Sequence, residues 1–136
     1  MFKKFQQYIS TILILILLTS SNSLYASEVS IEKAVFRLNG SSWSVDVTLK
    51  HKDTGWNHYA DAWRIVDAKG IEIAKRILHH PHVNEQPFTR SLSSVKIPDK
   101  TKIIFIQAHD TGQKWSSKKL EIDLFNNKRD NVKVIR

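Results

Sequence analysis

The stretch Trp43-Ser44-Val45-Asp46-Val47-Thr48-Leu49-Lys50 alternates apolar and polar residues without a break. Successive side chains of a strand point to opposite faces, so a period of two predicts a strand with one face in a core and the other in water. A helix would scatter the same apolar residues around its circumference and bury none of them well. Asn39-Gly40 just before it is a hairpin-turn signal. Val29, Ile31, Ala34, Phe36 and Leu38 precede the turn as a first strand, whose parity slips between Ile31 and Ala34 as a bulge would make it.

The remainder follows the same plan. Residues 59–67 predict a third strand, with Trp63 and Ile65 on one face and Ala62, Arg64 and Val66 on the other; Asp61 shares the face of Trp63 near the loop end. Ala68-Lys69-Gly70 turns the chain into a return strand carrying Ile71, Ile73 and Ile77. Residues 88–97 make the next strand, closed by Pro98-Asp99. Ile103-Ile104-Phe105-Ile106 lies within a segment, 102–110, that suits a central strand covered on both sides. Leu120, Ile122 and Leu124 alternate with Glu121 and Asp123 as a last strand, and residues 126–136 read as a polar C-terminal tail. No amphipathic helical stretch follows residue 26. About seven short strands separated by turns predict an all-β fold, a single antiparallel β-sandwich spanning 27–125.

Residues 1–26 carry a basic start at Lys3-Lys4, an apolar run and a polar stretch that ends at Ala26, the pattern of a cleaved secretory signal. The run is shorter than the ~20 residues a bilayer span needs. The chain of 136 residues contains no cysteine, which excludes disulfides, thiolate ligands, cysteine catalysis and a lipoprotein anchor, and leaves stability to the apolar core. The net charge of +8 favours anionic surfaces. The basic residues are scattered, however, and export argues against nucleic acid. The expectation is an exported protein, periplasmic or secreted, without a stable membrane anchor once the signal is removed.

The strand order, Trp63 on the third strand and the run from Ile97-Pro98 through Ile104, Ile106 and Ala108 resemble a fibronectin type III or immunoglobulin-like domain. The sequence departs from that pattern in having no cysteine pair, and in placing Lys102 near the usual corner tyrosine. The segments 53–61 and 80–90 are similar to parts of small exported bacterial proteins of unassigned function, a resemblance that brings no activity with it.

Strands of such a meander alternate direction, so the loops 52–58, 79–87 and 111–117 fall at one pole. His51, His58, His79, His80, His82 and His109 flank or occupy these loops. The leading expectation is a non-enzymatic interaction module. Its recognition surface is the pole, with Trp56, Tyr59, Asp61, His51, His79, His109 and Trp115, and its partner is a protein or a cell-envelope ligand. The alternative is a transition-metal site for copper or zinc built from His58, His80, His82 and Glu85, since neutral imidazole and carboxylate suit those ions. No other cofactor is implied. A third reading uses Trp56 and Trp115 to stack on sugars. Catalysis is not expected: no Gly-flanked nucleophilic serine occurs, and Ser91, Ser93 and Ser94 fit the outer face of a strand.

Overall fold

Apolar alternation builds eight strands in the computed structural model, which describes residues 28–112 and 115–136. They are β1 (Ser30–Asn39), β2 (Ser42–Lys50), β3 (Ala60–Asp67), β4 (Glu72–Ile77), β5 (Phe88–Val95), β6 (Ile103–Asp110), β7 (Leu120–Asp123) and β8 (Val132–Ile135). One sheet has the order β5-β2-β1-β8 and the other β4-β3-β6-β7. The two sheets form an all-β sandwich. The expected signal segment, 1–26, lies outside the described residues. Among the described residues no helix is long and apolar enough to cross a membrane.

The inward row of β2 is the one its alternation predicts: Trp43, Val45, Val47 and Leu49 are buried, while the residues between them are half-buried. Opposite lie Trp63 and Ile65 of β3 and Ile104, Ile106 and Ala108 of β6, all fully buried. Phe36 packs edge-on to Trp43, with ring centroids 6.1 Å apart. The pairing of β1 with β2 slips between Ile31 and Lys33, where the sequence parity breaks. A second slip, between Ala60 and Ala62 in the β3–β6 pairing, falls beside the loop pole.

Two expectations are corrected. The segment 126–136 is not a loose tail throughout: Val132–Ile135 pairs parallel to β1, from Ala34↔Val132 to Arg37↔Ile135. Val132 is buried, and its backbone N–H donates to Arg129 O at 3.3 Å in the turn that leads into the strand. Three apolar residues, Val132, Val134 and Ile135, among charged and polar neighbours were too short a pattern to reveal this strand. Likewise β6 is not covered on both sides. Ile103 and Phe105 are half-buried on the outer face, with the Lys119 ammonium 5.8 Å from the Phe105 ring centre. Their β-branched and aromatic character suits the pleated surface as well as it suits a second layer.

If β8 is part of the fold, Val132→Ala lowers the unfolding free energy by about 1–2 kcal/mol. Lys133→Ala, on the exposed side, changes it by less than about 0.5 kcal/mol. Urea denaturation of the two variants checks this, and equal, negligible effects would show the segment to be unstructured.

Candidate metal centre

The inward row of β2 does not stop at Leu49. One more step of two places His51 at the mouth of the sandwich, buried. The inward row of β6, Ile104-Ile106-Ala108, ends in the same way on Asp110, also buried. The chain between β2 and β3 then folds back over this mouth. Thr54 N–H donates to His58 O (2.9 Å) and His58 N–H donates to Gly55 O (3.2 Å). Gly55 has φ 136°, a conformation that residues with a side chain rarely take. The turn sets the His58 ring edge-on to that of His51, with centroids 4.8 Å apart.

Two imidazoles thereby meet one carboxylate. His51 Nε2 is 3.7 Å from Asp110 Oδ2, and His58 Nε2 is 3.6 Å from Asp110 Oδ1. Both separations exceed hydrogen-bond length, and both Nε2 atoms are buried without a partner among the described residues. One ligand atom from each of His51, His58 and Asp110 lies within 4.8 Å of the others. Asp110 Oδ1 also accepts the Gly112 amide at 2.8 Å, which fixes the carboxylate.

Asp53 stands behind the group. Its Oδ1 accepts His51 Nδ1–H at 2.6 Å and the Ala60 amide at 2.9 Å; its Oδ2 accepts the His82 amide at 2.7 Å. A carboxylate at Nδ1 holds the proton there, so a neutral His51 turns the lone pair of Nε2 toward Asp110. A lone pair facing a carboxylate is repulsive unless a cation lies between them. Asp53 and Asp110 are both buried carboxylates, and their ion pairs among the described residues are with histidine alone. Buried charge of one sign calls for a proton or a metal.

The expected four-residue metal set is split. His58 joins His51 and Asp110. Glu85 is exposed and grips Arg90 through both carboxylate oxygens (3.2 and 3.0 Å), and the Arg90 hydrogen bonds hold its carboxyl below the usual range. His80 is exposed, whereas His82 is buried and stacks flat on Phe88, with centroids 4.0 Å apart and planes at 10°. Burial, followed by the nearby Arg90 and His80, pushes the His82 imidazole below its ordinary value of 6.5. Gln86 pins this loop to the end of β2: its Oε1 accepts the His51 amide and its Nε2 donates to His82 O, both at 3.0 Å.

Among the expected surface residues, His51 is buried, on the inward side to which the parity of β2 carries it. Asp61, expected on the face of Trp63, is corrected to the outer face. The slip in β3 between Ala60 and Ala62 turns it out beside His109, whose Nδ1 donates to Asp61 Oδ1 at 2.6 Å. These two line an outer groove of about 340 Å³ with Tyr59, His79 and Trp115. The Arg64 guanidinium lies 4.1 Å from the centre of the Trp115 ring. Trp56 is 69% exposed and packs edge-on to Tyr59. Asp110 and Asp53, assigned no ligand role by the sequence, were reachable by two signals: the inward parity of β6, and the position of Asp53 two residues past His51.

No family model matches the chain, and no solved structure matches it. It is 31% identical over 84 residues to a protein from Halomicrobium mukohataei described as "Putative lipoprotein", an alignment covering 62% of this chain and 41% of that relative. The chain thus spans about two-fifths of that relative's length.

Asp53→Ala leaves three buried donors unpaired and lowers stability by about 3 kcal/mol or more in urea denaturation of metal-free protein. A loss below about 1 kcal/mol would show that Asp53 does not hold the pole. His82 gives a pH dependence. Its folded-state value is lowered, so the stability it contributes is complete above the unfolded value of 6.5 and is lost as pH falls through the folded-state value. The urea midpoint of metal-free protein therefore drops between about pH 7.5 and about pH 5.5, and drops less in His82→Phe. Parallel pH profiles would contradict this role.

Proposed function

We propose that this is an exported, non-enzymatic β-sandwich that binds a divalent transition-metal ion at His51, His58 and Asp110. One observation carries the reading: two buried imidazole Nε2 atoms, with no hydrogen-bond partner, face a single buried carboxylate. The Asp53 carboxylate at His51 Nδ1 is the kind of support that orients a metal-ligating imidazole. Ligands about 2.1 Å from a tetrahedral ion stand about 3.4 Å apart; the 3.6 and 3.7 Å separations, to the two oxygens of Asp110, are close to this, and the three residues, whose ligand atoms lie within 4.8 Å of one another, draw together to hold an ion.

The donor set selects the class of ion. Two nitrogens and a carboxylate suit zinc, copper(II), nickel or cobalt, whereas calcium and magnesium prefer oxygen alone. Copper(I) favours sulfur, and the sequence has no cysteine and a single methionine, Met1. Export is supported by the basic and apolar start of the chain and by the description of its relative. A binding role is preferred to an enzymatic one because the outer groove is lined by Asp61 and His109 and not by the three metal-facing residues. The strand order also supports an immunoglobulin- or fibronectin-type sandwich, in which β4 has joined the sheet of β3 rather than that of β5. Sugar stacking is less favoured, since Arg64 already occupies the ring of Trp115.

Chelator-stripped protein given zinc or copper(II) at a hundred times its dissociation constant gains about 2.7 kcal/mol. For a domain of this size that is a rise in melting temperature on the order of 10 °C. His58→Ala and Asp110→Asn lose most of the rise while remaining folded. No rise with zinc, copper(II), nickel or cobalt in the parent protein would overturn the proposal.

A further inference from the structure

The loop between β4 and β5 carries His79-His80-Pro81-His82, and the metal centre uses none of these imidazoles. His82 is the unusual member. Its side chain is 2% exposed, yet both ring nitrogens are buried without a hydrogen-bond partner. Native interiors seldom leave such a group unpaired. Its Nδ1 lies 3.9 Å from Asp53 Oδ2. That separation is longer than a hydrogen bond; Asp53 Oδ2 accepts the His82 backbone amide at 2.7 Å instead, which anchors the loop and leaves the ring unpaired. In either tautomer of a neutral imidazole one of these two nitrogens keeps a lone pair free for a cation.

A second imidazole is at hand. The His80 ring lies 4.6 Å from that of His82, centroid to centroid, with the planes at 38°. Pro81 between them fixes one backbone dihedral and so limits how far the two rings can separate. His80 is exposed, so an ion held by both would face solvent on one side. Glu85 is not available as a ligand, because Arg90 engages both of its oxygens.

We propose that His80 and His82 hold a second divalent ion of the imidazole-binding class, copper(II), zinc or nickel, at a shallower site than the centre formed by His51, His58 and Asp110. Water completes its coordination on the exposed side, and Asp53 anchors the chain at both sites, through the His51 ring and the His82 amide. The second site does not depend on the first, since the ligand residues are separate.

Zinc titration of untagged, chelator-stripped protein, followed by calorimetry, tests this. The expected stoichiometry is two per chain, falling to one in His80→Ala and to one in Asp110→Asn, with none in the double variant. His80 is exposed, so its substitution leaves the fold intact. In long-range nitrogen–proton spectra, zinc moves the Nε2 resonance of His82 while Nδ1 stays protonated. One equivalent that survives His80→Ala and vanishes in Asp110→Asn overturns the second site and leaves the first standing. One equivalent with the reverse pattern supports the second site and removes the first. Two equivalents in His80→Ala, or none in the parent protein, also overturn it.

Discussion

The loop pole depends on one buried carboxylate. Asp53 accepts hydrogen bonds from the His51 ring, the Ala60 amide and the His82 amide. These belong to the end of β2, the start of β3 and the β4–β5 loop, so a single side chain ties together three parts of the chain that would otherwise be free to separate. A carboxylate taken out of water is tolerable only with several donors around it, and Asp53 has them. Without it the two loops would lack a common anchor, and His51 would have no reason to keep its proton on Nδ1.

Around that anchor, the ends of the strands sort residues into two different environments. The inner rows of β2 and β6 finish on His51 and Asp110, and these meet where the apolar core gives way to the mouth of the sandwich. The next residue back on β6, His109, faces outward by alternation and finds Asp61, which the slip in β3 has turned to the same side. Two neighbouring residues thus serve two clusters on opposite faces of one sheet. A site supported on strand ends is held more rigidly than one on loops alone; Asp110 is the last residue of β6 and His51 directly follows β2, while His58 comes from the loop between β2 and β3.

The arrangement sets stability against readiness to bind. Unpaired buried imidazole nitrogens at His51, His58 and His82 cost the metal-free protein free energy, of the order of 1–3 kcal/mol for each donor left unsatisfied. The core offsets this with fully buried Trp63, Phe36, Phe88, Leu49 and several isoleucines and valines. Nothing in core packing alone favours placing two carboxylates and three histidines at its edge. Their selection is explained if the mouth is a place where cations bind.

Alternation by itself determined much of this molecule. The inward rows of β2, β3 and β6, the bulge after Ile31, and the gathering of the histidine-bearing loops at one pole all follow from a period of two and from strands that reverse at each turn. Residue types at that pole also fixed what it can offer, nitrogen and oxygen donors and no sulfur. What the sequence did not determine was which side chains converge. Asp61 changed faces because a bulge shifts parity by one residue, and neither Ala60 nor Ala62 announces one. Glu85 was lost to Arg90, a pairing whose strength depends on local geometry. Val132–Ile135 became a strand only because β1 presents an open edge to it. Periodicity fixes the face of a residue within its own strand, whereas distances of a few ångströms between loops depend on register, bulges and turns that only the assembled sheets decide.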